Sequence, residues 1–185
     1  RRVLFRSVLQ GQATQRAQGV LLSVMGVLAP LVAWASLYLF LHTQGIVYVL
    51  SLLVLIWVAD IAAYFAGRAF GKAKLAPRVS PGKTWAGAVG GMVAAAAWML
   101  ISANWAGSFG ADVLQRWGWV ATAALGVALA ALSIVGDLFE SLLKRRAAVK
   151  DSSQLLPGHG GVYDRIDALL PVAPVALLLS GAWLF

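Results

Sequence analysis

The chain has 185 residues, 61% of them hydrophobic and only 12% charged, with a formal net charge of +8 and no cysteine. Soluble domains carry about 25% charged residues, so this balance, with a mean hydropathy of +0.80, excludes an ordinary soluble domain and points to the membrane. The missing thiols exclude disulfides and thiolate metal sites, and the basic residues lie in short gaps between apolar runs rather than on one solvated face, which excludes nucleic acid as a partner.

In chain order, the sequence opens on "RRVLFRSVLQ", with no Met and no signal-peptide pattern, and is expected to be the later part of a longer protein. A spanning helix needs about 20 mainly apolar residues. Five segments meet or approach that length: about 18–41; 46–70, with Asp60 inside it; 84–104, rich in Gly and Ala; 118–142; and 168–185. The expected fold is all-α: a polytopic integral membrane helical bundle of about five transmembrane helices. It forms a single membrane domain over 1–185, with polar loops at about 71–84 and 143–167. Gly87, Gly90 and Gly91 mark the third span as a closely packed central helix, because small residues let backbones approach in lipid.

The gaps alternate in charge. Arg1, Arg2, Arg6 and Arg16 precede the first span, and 42–45 carries no formal charge. Lys72, Lys74, Arg78 and Lys83 fill 71–83, whereas 105–117 holds only Asp112 and Arg116. Lys144, Arg145, Arg146, Lys150 and Arg165 crowd 143–167. Basic residues mark the cytoplasmic side, so the N-terminal segment and the loops 71–83 and 143–167 are expected there, with the C-terminus across the membrane.

Seven acids are few enough to place singly. Asp112, in a short outer gap, is expected to be merely solvated. A charge at the centre of a spanning helix costs about 2.5–3.5 kcal/mol on insertion scales, so Asp60 must face the protein interior or water. It shares a face with Ala63, Tyr64 and Gly67, and the plainer alternative is a helix–helix hydrogen bond. Asp137, Glu140, Ser141 and Lys144 fall on one helical stripe. Glu140 and Lys144 could equally be a solvated i,i+4 pair. Asp137 lies deeper, where a cation would favour its ionised form.

The segment "KDSSQLLPGHGGVYDRID" (150–167) cannot span a membrane, because Pro157, Gly158, Gly160 and Gly161 break a helix. Its glycines can bring backbone N–H groups close to an anion. A helix starting after Gly161 would put Asp164 and Asp167 on one face. Carboxylates so arranged suit Mg²⁺, which is usually held by one or two of them plus substrate phosphates. Lys144, Arg145, Lys150 and Arg165 could neutralise phosphate. In the other inner loop, Ser80-Pro81-Gly82-Lys83-Thr84 reads as a turn followed by a helix start, where Ser80, Lys83 and Thr84 could favour an anion. It is not a Walker A loop.

Ser141, Lys144-Arg145, Lys150-Asp151, Pro157, His159-Gly160-Gly161, Asp164-Arg165 and Asp167 together form a signature of 27 residues. This signature resembles that of the phosphatidate cytidylyltransferase (CDP-diacylglycerol synthase) family. "WVADIAAYFAGRAFGKAKLAPRVSPGKTWAG" (57–87) resembles the family's second conserved block, although Ala86 stands where many relatives carry a polar residue. The resemblance covers roughly 46–185, and family members are typically longer at the N-terminus. It implies transfer of the cytidylyl group of CTP to phosphatidate, giving CDP-diacylglycerol and pyrophosphate. It also implies a bacterial inner-membrane location with the site facing the cytoplasm, Mg²⁺ with a monovalent cation such as K⁺ beside it, and a homodimer.

On that basis Asp164 and Asp137 are the expected main metal ligands, with Asp167 and Asp60 in or next to the coordination sphere. Lys144, Lys150 and Arg165 join Asp137, Asp164 and Asp167 as the catalytic set. Ser80, Lys83, Thr84, Ser141, Arg145, Asp151, His159, Gly160 and Gly161 are expected to bind substrate, His159 by shaping its loop. Two rival classes stand beside this reading: a cation transporter using Asp60 and Asp137, and a CTP-dependent polyprenol or phytol kinase, which would release a nucleoside diphosphate.

Overall fold

The computed structural model describes residues 19–149, 152–153, 161 and 163–180. In chain order these form α1 (Gly19–Thr43), α2 (Ile46–Phe70), a hairpin of β1 (Lys74–Ala76) and β2 (Ser80–Thr84), α3 (Trp85–Ser102), α4 (Phe109–Arg146), the single turn α5 (Tyr163–Ile166) and α6 (Leu169–Ser180). Four helices, α1 to α4, are long and apolar enough to cross a membrane, and α6 is a shorter apolar helix. The protein is therefore an all-α polytopic membrane bundle with one small hairpin. Residues 181–185 of the expected fifth span lie outside the described residues.

Two expectations are corrected. The gap 105–117 is not all loop: a first helical stretch of α4 starts at Phe109 and breaks at Gly118, whose φ of 76° lies in the left-handed region, so the fourth span itself begins near residue 118 as expected. Ser108 starts that first stretch, its hydroxyl accepting from Ala111 N at 3.0 Å as an N-cap. Asp112 is consequently not merely solvated: on the first turn of α4 it accepts from the buried Tyr48 hydroxyl at 3.1 Å and pairs with Arg116 at 2.8 Å. The second correction concerns Ser80, Pro81 and Gly82, which lie in strand β2 rather than in a turn. The hairpin forms because Ala76 and Val79 bury themselves against Leu138 and Leu142 of α4.

Packing follows the small residues. A Cβ on Gly91 of α3 would meet Ala59 O of α2 at 2.8 Å, and one on Gly90 would strike Ala66. The backbones of α2 and α3 thus approach as the Gly and Ala content of the third span predicts. Tyr48, Leu52, Leu55, Met99, Phe109, Leu129 and Val172 fill the core between α2, α3, α4 and α6. Trp34, Trp57, Phe65 and Val93 face outward, where lipid and not water would meet them. The hairpin's end is fixed to both neighbours: Thr84 caps α3 by accepting from Gly87 N at 3.1 Å, and Arg145 Nε of α4 donates to Val79 O at 3.4 Å.

Candidate functional site

The polar side chains gather at the hairpin end of the bundle. On α4 the predicted stripe is real: Ser141 Oγ donates to Asp137 Oδ1 at 3.3 Å, and Lys144 Nζ lies 2.8 Å from Glu140 Oε2. Helical spacing alone brings these four residues onto one face. Lys144 then reaches out of its helix to Asp164 Oδ1, also at 2.8 Å. Asp164 further accepts from Ser152 N and Ser152 Oγ, each at 3.0 Å, and from Gly161 N at 2.7 Å. Donors therefore cover both of its oxygens. Burial works to raise the Asp164 carboxyl, but the adjoining Glu140 carboxyl, the Lys144 ammonium and the Gly161 and Ser152 N–H groups hold it well below the usual carboxylate range.

Asp167 follows α5 and accepts from Ala168 N at 2.7 Å. Only one turn of helix forms after Gly161, so Asp164 and Asp167 divide their tasks. Asp164 ties the loop to Lys144, whereas Asp167 turns to α4. Asp137, Glu140 and Asp167 each offer one carboxylate oxygen, and these oxygens all lie within 4.8 Å of one another. Burial and the neighbouring Asp137 charge push Asp167 up to about 6. Glu140 is only 4% exposed, and its Oε1 is buried with no hydrogen-bond donor against it among the described residues. An orphaned buried carboxylate oxygen is costly, and a cation would satisfy it. Three hard carboxylate oxygens so grouped could hold a divalent cation.

Beside this triplet a cleft of about 680 Å³ opens between α2, the hairpin and α4. Ligand sites commonly enclose about 300–1,000 Å³. Asp60, Ala63, Tyr64 and Gly67 of α2 line one wall, as their shared helical face predicted, and Lys83 and Asp137 line another. Lys83 Nζ lies 2.5 Å from Asp137 Oδ2, joining the hairpin to the acid cluster. Asp60 is within electrostatic range of both.

The remaining expected residues divide into three groups. Thr84 lines the cleft but is buried and serves as the α3 cap, and Ser80 pairs with Ala76 in the hairpin. Arg145 holds the hairpin, Gly161 holds Asp164, and Arg165 is exposed on α5. Lys150, Asp151, His159 and Gly160 lie outside the described residues. Sequence reasoning gave too little weight to Glu140, although its position one turn from Asp137 on the same stripe was the available signal. It missed Arg68 and Lys74, which also line the cleft. Ser152 carried no signal in the sequence.

The chain is similar to known proteins along most of its length. The model of the Cytidylyltransferase family matches residues 2–182. A protein named phosphatidate cytidylyltransferase in Pseudomonas aeruginosa is 50% identical over 165 residues, covering 86% of this chain and 58% of that protein. Proteins of the same name in Haemophilus influenzae and Brucella suis are each 47% identical, covering 71% and 75% of this chain and 44% and 48% of their own lengths. The chain thus spans about half the length of the curated relatives it matches.

Proposed function

The chain belongs to the cytidylyltransferase family, and from that premise we propose that it carries the site at which the cytidylyl group of CTP passes to phosphatidate. The observation that supports this best is the buried Asp137–Glu140–Asp167 triplet opening beside a cleft that also bears Lys83. A phosphate oxygen of the lipid attacks the α-phosphorus of CTP. A new P–O bond forms there, the bridging P–O bond to the β-phosphorus breaks, and pyrophosphate leaves. Little proton movement is required, so catalysis reduces to positioning and charge neutralisation.

Asp137, Glu140 and Asp167 would hold Mg²⁺, with Asp60 close by. The ion when bound supplies positive charge to the phosphates. Lys83 holds Asp137 in place through their ion pair and presents the cleft with an ammonium group. Lys144, bridging Glu140 and Asp164, fixes Asp164, and with it Ser152, Gly161 and α5, against α4 and so sets where Asp167 lies. Asp164, whose oxygens already accept several hydrogen bonds, serves here to tie Ser152, Gly161 and α5 together, with the metal role passing to Glu140. Arg165 would meet phosphate from α5. Lys150, Asp151, His159 and Gly160 retain the substrate roles that the family signature implies.

The basic loops share one side of the bundle with the cleft, which supports a cytoplasm-facing site in a bacterial inner membrane. A monovalent cation beside Mg²⁺ and a homodimer follow from the family likeness alone. The deciding experiment is pyrophosphate release from CTP by purified protein in detergent, with and without phosphatidate and Mg²⁺. Release that needs both establishes the reaction. Release of a nucleoside diphosphate instead would indicate a lipid kinase, and ion flux without nucleotide turnover would indicate a transporter.

A further inference from the structure

The cleft carries two kinds of cation. Lys83 is tied to Asp137. Arg68 and Lys74 line the same cleft, yet neither pairs with an acid among the described residues. Arg68 donates through Nη1 to the Tyr64 hydroxyl at 3.1 Å, one turn earlier on α2. A basic residue in the last turn of a helix is favoured by the helix dipole alone. The dipole does not require that its side chain line a cleft or that a tyrosine hold it there. A neutral phenol orients the guanidinium without neutralising it and leaves further N–H donors free to meet a planar or tetrahedral oxyanion. Lys74 adds a second, compact charge from the hairpin wall. Asp60, two turns before Arg68 on α2, repels an anion at its own end of that wall, and Lys83 is already paired with Asp137, so the anionic part of a ligand is favoured at the Arg68 and Lys74 end.

We propose that Arg68, oriented by Tyr64, and Lys74 form an anion seat in this cleft that takes the phosphate oxygens of a phosphorylated substrate. The inference deepens the functional reading above and rests on it only for the identity of the phosphate. The triphosphate of CTP and the headgroup of phosphatidate present the same oxyanion chemistry.

The test is equilibrium binding to the full chain in detergent, measured separately for CTP with Mg²⁺ and for phosphatidate diluted in micelles. It compares the wild type with Arg68→Gln, Arg68→Lys and Lys74→Gln. Loss of one charge-assisted contact should weaken one ligand by at least about tenfold in Arg68→Gln and in Lys74→Gln. Arg68→Lys should recover part of that loss, because it keeps the charge but not the fork. A loss confined to CTP assigns the seat to the nucleotide, and one confined to phosphatidate assigns it to the lipid. Wild-type affinity for both ligands in both Gln variants overturns the proposal, as does a wild type that binds neither. Arg68 and Lys74 are exposed, and monodispersity on gel filtration confirms that each variant is folded. Should Arg68→Gln fail that check, Lys74→Gln on the hairpin decides alone. Arg68-dependent binding without pyrophosphate release would sink the functional reading and leave the anion seat standing. Release with unaltered binding in the variants would do the reverse.

Discussion

Lys83 Nζ on the hairpin lies 2.5 Å from Asp137 Oδ2 on α4, so a single cation both anchors the hairpin's end and touches the acid cluster. The side chains of the pair are 24% and 33% exposed, and such partly solvated pairs contribute about 1 kcal/mol or less to stability. Lys83→Met should therefore leave thermal unfolding in detergent nearly unchanged. If Lys83 positions charge for phosphate transfer, the same variant should lose about 10²-fold or more in pyrophosphate release. A matching fall in both stability and activity would make the pair a structural strut only.

Glu140 makes the sharper test of the metal. Its Oε1 is buried without a donor, whereas both oxygens of Asp164 are covered. Glu140→Gln and Asp167→Asn should each raise the Mg²⁺ concentration needed for half activity by about 10- to 100-fold, as loss of a ligand or its support does. Asp164→Asn should move that concentration far less while lowering the unfolding temperature. The opposite ranking would return the metal to Asp164.

That contrast shows what the sequence could and could not reveal. The helices were legible because apolar runs of spanning length have few other uses, and the α4 stripe was legible because i, i+3, i+4 and i+7 spacing fixes a face. Asp60, Tyr64 and Gly67 were likewise placed correctly on one wall. The hairpin was hidden: Ser80-Pro81-Gly82 has turn chemistry, and only the burial of Ala76 and Val79 on Leu138 and Leu142 makes it a strand. The division of labour between Asp164 and Asp167 was hidden too, because it depends on Lys144 and Ser152, which are far from both acids in sequence. Local propensity does not encode such contacts, and tertiary packing overrides it.

Asp164 also predicts a response to pH. Its carboxyl is held well below the usual range in the folded protein, against about 3.9 in an unfolded chain. A depressed acid contributes stability above its unfolded pKa and loses it as pH falls toward the folded one. The Asp164 contribution to the unfolding temperature should therefore be constant above about pH 5 and be lost below about pH 4. The Asp164→Asn variant should start lower and show a shallower acid limb. Parallel acid limbs in the two proteins would assign the loss to other carboxylates.

The helix seam gives a prediction free of the site. A Cβ on Gly91 would meet Ala59 O at 2.8 Å and Ala63 Cβ at 3.2 Å, and neither is the end of a flexible side chain. Accommodating it means separating α2 from α3, and overpacking of that kind costs about 1–3 kcal/mol. Gly26 on α1 has nothing within 4 Å of its would-be Cβ, so Gly26→Ala should be neutral or slightly stabilising through helix propensity. Thermal unfolding in detergent should separate Gly91→Ala from Gly26→Ala clearly. Because α2 carries Asp60 and the hairpin leads into α3, widening this seam should also shift Lys83 relative to Asp60. Gly91→Ala is therefore expected to lower pyrophosphate release even at temperatures where it stays folded. Full activity in a destabilised Gly91→Ala would show that the cleft tolerates movement between the two helices.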